Sequence, residues 1–190
     1  MVWSNMHALA LVLATMTVTT PMEGPVLVLD APGIAFSAVP PELAEPVYGE
    51  MGEESGYLES EPNDLGLTYR IRYRLLDEGP GFRRGDWLLE HVRSSIITEE
   101  DQLLQLSDEV KWTEGSRETE YRGQGSVGLV PWINFNVIQR ATGEISFSGR
   151  AAAVFRNGYV TRFTVIAPPN HSEYARQSLM QLIDLIYMVD

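Results

Sequence analysis

The sequence contains no cysteine. Disulfides, thiolate nucleophiles, iron–sulfur clusters and cysteine-based zinc sites are therefore excluded for this chain. Histidine is scarce as well, since the chain has only His7, His91 and His171. The sequence has no nucleophile elbow, no paired-histidine zinc motif, no EF-hand loop and no Walker-type phosphate loop. We therefore expect no metal and no cofactor, and no motif identifies an enzyme.

Basic residues are outnumbered and almost all of them are arginine. Lys111 is the one lysine among 14 basic residues, against 26 acidic ones, and the net charge is −12. Nucleic acid is not an expected partner, because phosphate contacts require a basic surface. The 190 residues, 44% of them hydrophobic and 21% charged, fit one domain with a core of its own.

Long apolar runs are also missing, apart from one near the N-terminus. Residues 8–18 are continuously apolar or small, which is too short for a membrane span and matches the length of a signal-peptide core. Residues 1–7 contain no lysine or arginine, and no clean cleavage site follows the run. Residues 1–22 are therefore predicted to be a signal peptide or an N-terminal extension, with a structured first element as the alternative. Residues 23–190 are predicted to form a single α+β domain.

The first half of the domain is predicted to be mostly β-structure. Short apolar runs predict strands at residues 26–29, 33–39 and 56–61. Residues 41–55 are acidic and rich in proline and glycine, which predicts a surface loop with a helical turn near Glu42.

Residues 67–75 show the clearest strand pattern in the chain. Apolar side chains alternate with polar ones, so a strand would place Arg70, Arg72 and Arg74 together on one face. We call these three residues the arginine row. Guanidinium groups at strand spacing, about 7 Å apart, can bind carboxylates or phosphates of a partner. The alternative is pairing with acidic side chains on neighbouring strands, from Glu59 and Glu61 or from Glu118 and Glu120.

The second half of the chain alternates between helical and strand patterns. Apolar residues four apart predict an amphipathic helix at residues 86–97, and a further short helix is predicted at residues 98–106. Five strands are then predicted, at residues 110–113, 118–122, 129–139, 144–156 and 159–167. Pro131 predicts that the third of these lies at a sheet edge or begins after the proline.

The end of the chain contains the strongest local signals. Asn157-Gly158 predicts a two-residue type I′ hairpin turn that pairs Phe155 with Val160 and Ala152 with Phe163. After Pro168-Pro169, the apolar positions recur at helical spacing and predict a C-terminal amphipathic helix. The element order indicates an α+β fold with an antiparallel β-sheet flanked by helices.

Two segments carry a resemblance to a known family. Residues 33–40, GIAFSAVP, resemble the opening of PsbP-like domains, and residues 150–183 resemble their closing hairpin, proline-bounded loop and amphipathic helix. The resemblance, which also takes in the Mog-like proteins, spans roughly residues 26–189 and implies an α/β/α sandwich. It implies a binding or assembly factor rather than an enzyme. Because the chain has no cysteine, it departs from the lipoprotein members, and no functional residue is carried over.

These observations predict an exported, non-catalytic binding or assembly-factor domain that acts on a protein partner through the arginine row. Its location is predicted to be secreted or periplasmic, with no stable membrane span after processing. Two alternatives stay open. One is a hydrolase with dispersed active-site residues near His91 or His171, and the other is a cytoplasmic partner-binding protein.

Overall fold

A computed structural model describes residues 27–38, 41–44, 47–76, 85–97, 110–122 and 128–189. The predicted signal segment (residues 1–22) and the short helix predicted at residues 98–106 lie outside the described residues. The helices of the described part are α1 (Pro41–Ala44), α2 (Gly85–Ile97) and α3 (Ser172–Asp184), with a 3-10 turn at Pro169–His171.

The ten strands of the described part form two antiparallel sheets. The strands are β1 (Val28–Leu29), β2 (Ile34–Phe36), β3 (Val47–Met51), β4 (Ser55–Ser60), β5 (Thr68–Leu75), β6 (Val110–Arg122), β7 (Gly128–Gln139), β8 (Ile145–Arg156), β9 (Tyr159–Ala167) and β10 (Ile186–Met188). A seven-stranded sheet has the order β3-β4-β5-β9-β8-β7-β6, and a small sheet has the order β1-β2-β10. The α+β prediction with an antiparallel sheet and a C-terminal helix is confirmed.

In the described part of the chain, one of the two 13-residue helices packs on each face of the large sheet. On one face, α3 buries Leu179 and Ile183 in a core that also contains Phe163 of the central strand β9. The small sheet joins this core through Phe36, whose ring meets that of Phe163 edge-on at a centroid distance of 6.3 Å. On the opposite face, α2 packs Leu88 and Val92 against β7, β8 and β9. Burial on both faces explains why eight of the nine residues of the central strand β9 are buried.

The hairpin of β8 and β9 has the predicted turn and register. Asn157 and Gly158 both have positive φ angles, 52° and 85°, as a type I′ turn requires. Phe155 pairs with Val160 and Ala152 pairs with Phe163, as predicted.

Several predicted boundaries were wrong, because they depend on pairing rather than on local pattern. The loop predicted at residues 41–55 contains strand β3, which exists because it pairs along β4. The two strands predicted between residues 110 and 122 are one strand, β6, with an irregularity in register between Glu114 and Arg117.

Pro131 was predicted to lie at a sheet edge or before its strand begins, but it lies within β7, between β6 and β8. It is tolerated because the pairing of β7 with β8 begins only at Trp132.

Tyr69 predicts a pH dependence of folding. Burial, with Glu42 nearby, raises the pKa of its phenol to about 12, although a hydrogen bond with Ser178 opposes the rise. The unfolded chain loses this proton near pH 10, so the folded state loses stability as the pH rises from about 10 to about 12. We expect this residue to account for a loss of about 2 kcal/mol at most, since one pKa unit corresponds to about 1.4 kcal/mol and solvent screening reduces it.

The measurement is urea unfolding of the wild type and Tyr69→Phe at pH 8 and pH 11. The wild type should lose more stability between the two pH values than the variant does. Parallel losses in the two proteins would contradict the assignment.

Candidate functional site

The arginine row lies on the α2 face of β5. Its first member, Arg70, forms an ion pair within the sheet. The Arg70 side chain is 7% exposed, and its guanidinium group makes a two-point contact with the Glu59 carboxylate. The distances are 2.8 Å from Nε to Oε2 and 3.2 Å from Nη2 to Oε1. Glu59 and Arg70 are direct cross-strand partners of β4 and β5. Arg70 therefore stabilises the pairing of these strands.

The other two members of the row are increasingly exposed. The Arg72 guanidinium lies over the Tyr57 ring, 4.5 Å from its centroid, and is half-buried. Such a contact between a cation and an aromatic face is attractive and favours this position of the side chain. Arg74 is exposed near the end of β5, opposite Ser55 on β4 and Val160 on β9. The row thus runs from a buried ion pair to an exposed charge.

A third arginine joins this surface from the neighbouring strand. Arg162 of β9 is the direct cross-strand partner of Arg72 and is 7% exposed. Because the two residues pair directly, their side chains project from the same face of the sheet.

These arginines line a cavity of about 790 Å³, which we call the arginine groove. Its walls come from the β3–β4 turn, from β4, β5 and β9, and from α2. Its lining residues are Glu50, Gly52, Glu54, Ser55, Gly56, Tyr57, Arg72, Tyr73, Arg74, His91, Ser94, Val160 and Arg162. The volume falls within the range of small-molecule and side-chain binding pockets, about 300–1,000 Å³.

The β3–β4 turn is fixed beside the groove by two tyrosines. The Tyr73 hydroxyl donates to the Gly52 carbonyl at 2.7 Å, and the Tyr159 hydroxyl donates to the Glu53 carbonyl at 2.6 Å. Burial raises the pKa of Tyr73, so this hydroxyl keeps its proton and remains a donor. A Cβ on Gly56 would come within 2.4 Å of the Tyr73 ring. Glycine at position 56 therefore allows the ring to lie close to the strand.

The charge of the groove differs in character from that of the whole chain. Three guanidinium groups line it, against two carboxylates, Glu50 and Glu54, which are exposed at the β3–β4 end. The chain as a whole has a net charge of −12. Because salt screens exposed charges beyond about 8 Å, a ligand in the groove responds mainly to these local groups. Among the described residues, the side of the groove formed by β5 and β9 is therefore locally basic.

Only one of the two histidines considered for a hydrolase reaches the groove. His91 of α2 lines it together with Ser94, and its ring lies beside Trp87 at a centroid distance of 5.6 Å. His171 lies in the 3-10 turn directly before α3, and its Nδ1 is 2.6 Å from the Leu65 carbonyl oxygen. Nδ1 must donate here, since a carbonyl only accepts, and Nε2 faces the Asn170 amide at 3.4 Å. The hydrolase alternative, near His91 or His171, stays a prediction.

Sequence reasoning missed Arg162, Tyr57 and Ser94 as groove residues. The signal for Arg162 was present, because the predicted hairpin register places it on the face opposite to Phe163. What the sequence did not show is that β9 pairs with β5.

Among the described residues, no group of three or more acidic or histidine side chains is arranged to hold a metal ion. No helix of the described part is long and apolar enough to cross a membrane.

The sequence matches no family model and no curated protein. The fold is similar to the solution structure of cyanobacterial PsbP (CyanoP) from Synechocystis sp. PCC 6803, with a TM-score of 0.61 and 8% identity over 90% of this chain and 97% of that one. A Pseudomonas aeruginosa protein of unknown function aligns with a TM-score of 0.41 and 10% identity, over 88% of this chain and 96% of that one. The predicted resemblance to PsbP-like domains is confirmed at the level of the fold.

Proposed function

We propose that this protein is a non-catalytic binding domain whose arginine groove holds an acidic segment of a protein partner. The observation that carries the proposal is the convergence of Arg72, Arg74 and Arg162 on one cavity in an otherwise acidic chain. Guanidinium groups bind carboxylates through paired hydrogen bonds, which combine charge with orientation.

The three arginines have different parts in this proposal. Arg74 is exposed and offers the first contact, which favours rapid association with an oppositely charged segment. Arg72 and Arg162 are withdrawn from water, and a charge-assisted hydrogen bond gains strength where the local dielectric is low. Arg70 was predicted as a contact, and in this proposal it supports the site through its ion pair with Glu59.

The PsbP-like fold supports a binding role over a catalytic one, because the family resemblance implies binding and assembly factors. Export remains part of the proposal and rests on the apolar run at residues 8–18. Mass spectrometry of the mature chain, purified from its host, shows whether the N-terminal segment has been removed. A mature chain that retains residues 8–18 would favour the cytoplasmic alternative.

The binding test uses a fluorescein-labelled oligoglutamate peptide and fluorescence anisotropy. We expect the wild type to bind this peptide with an affinity that falls as the salt concentration rises. Arg74→Glu should weaken binding by about tenfold or more, because it reverses the charge at the exposed end of the groove. Glu50→Gln with Glu54→Gln should tighten binding, because these changes remove the opposing carboxylates.

Arg140→Glu is the matched control for Arg74→Glu. Arg140 is exposed in the turn between β7 and β8, at the opposite end of β8 from the hairpin beside Arg74. The charge change is the same, so only position differs. If the Arg140 variant weakens binding as much as the Arg74 variant, general charge rather than the groove determines affinity, and the proposal fails. It also fails if the wild type does not bind the acidic peptide.

A further inference from the structure

We propose that the arginine groove recognises a phosphoryl group on the partner segment, held between Arg72 and Arg162. This inference rests on the proposed function and adds the chemical class of the group that is bound. It starts from the register of the sheet, which makes Arg72 and Arg162 direct cross-strand partners.

Two like charges in direct cross-strand positions destabilise a sheet, because the Cβ atoms are only about 5 Å apart. Here Arg72 is half-buried and Arg162 is 7% exposed, so solvent screens their charges less. Both arginines interact with other groups of the protein as well. They are the two cationic side chains of the described groove that project from directly paired positions, so an anion bound there would interact with both.

Arg72 is restricted before any ligand arrives. Its guanidinium lies over the Tyr57 ring, 4.5 Å from the centroid, and Arg162 is 7% exposed at the paired position of β9. A side chain that packing restricts in this way loses less conformational entropy on binding, which increases affinity. Two guanidinium forks suit a group whose oxygens point in several directions.

A phosphoryl group fits this pair better than a single carboxylate does. It carries a charge of about −1.5 to −2 near neutral pH and three acceptor oxygens, whereas a carboxylate carries −1 and two. One phosphoryl group can therefore accept from both guanidinium forks at once. Ser94 and His91 line the same cavity and provide further polar groups around it.

The test compares three peptides of one sequence that carry serine, glutamate or phosphoserine at the central position, titrated by calorimetry near neutral pH. We expect the phosphoserine peptide to bind at least about tenfold more tightly than the glutamate peptide. In Arg162→Lys, which keeps the charge but loses the fork, this preference should fall below about threefold. Oligoglutamate binding should weaken in Arg162→Lys as well, because the guanidinium fork also contacts carboxylates, so the readout is the ratio of the phosphoserine and glutamate affinities.

The outcomes separate this inference from the proposed function. If oligoglutamate binds and Arg74→Glu weakens it, but phosphoserine gains nothing over glutamate, the phosphoryl inference is wrong and the binding role stands. If no acidic or phosphorylated peptide binds, both are wrong. If inorganic phosphate alone competes as strongly as the phosphoserine peptide, free phosphate is the ligand and recognition of a partner segment is wrong. A preference that survives unchanged in Arg162→Lys overturns the assignment to this pair.

Discussion

Replacing Phe163 with alanine is expected to lower the free energy of unfolding by about 4 kcal/mol, which is the largest single effect that this structure predicts. Phe163 has no exposed surface, lies in the central strand of the seven-stranded sheet, and meets the Phe36 ring edge-on. Truncation removes buried apolar surface and leaves a cavity that the surrounding strands cannot close. It also removes one of the contacts by which the small sheet packs on the large one.

Urea unfolding followed by circular dichroism measures this loss. Tyr174→Ala is the matched control, because it makes the same aromatic-to-alanine change at a side chain that is 53% exposed in α3. We expect the control to change stability by less than about 0.5 kcal/mol. A loss below about 1.5 kcal/mol in Phe163→Ala would show that Phe163 is not part of a tightly packed core.

Breaking the ion pair between Arg70 and Glu59 is expected to have the second largest effect. Glu59→Gln leaves the Arg70 guanidinium buried opposite a neutral amide, and we expect a loss of about 2–3 kcal/mol in unfolding free energy. The estimate is below the usual cost of a fully buried pair, because the Glu59 side chain is 25% exposed. The measurement is again urea unfolding.

Two further variants distinguish a buried charge from a general surface effect. The double change Arg70→Met with Glu59→Leu should recover most of the lost stability, because it removes both charges and keeps apolar volume. Glu173→Gln in α3 breaks an exposed pair with Arg176 at 3.5 Å, and should cost less than about 0.5 kcal/mol. Equal losses in Glu59→Gln and Glu173→Gln would contradict a special role for Arg70.

This pair also affects how the groove is tested. A variant that reverses the charge of Arg70 would place two carboxylates together inside the sheet, so its loss of binding would report unfolding. Arg74 is exposed, so a charge reversal there disturbs the fold less than one at Arg70 and is the better probe of binding.

Local periodicity determined a large part of the fold. The alternation around Arg70 to Arg74 predicted strand β5 and the common face of its arginines, because a strand turns successive side chains to opposite faces. Asn157-Gly158 predicted both the turn and the register of β8 and β9, since few residues adopt positive φ. The helices α2 and α3 followed from apolar residues at helical spacing.

What only the tertiary structure decided is which strands lie side by side. The presence of Glu59 opposite Arg70, and of Arg162 opposite Arg72, depends on β5 lying between β4 and β9. The short strands β3 and β10 likewise exist through the partners that they pair with. Cross-strand neighbours can be far apart in the sequence, so the local sequence pattern of one strand does not identify its partner strand. The sequence by itself therefore determined the arginine row and its strand, and the sheet order determined that Arg70 pairs with Glu59 and that Arg162 lines the groove opposite Arg72.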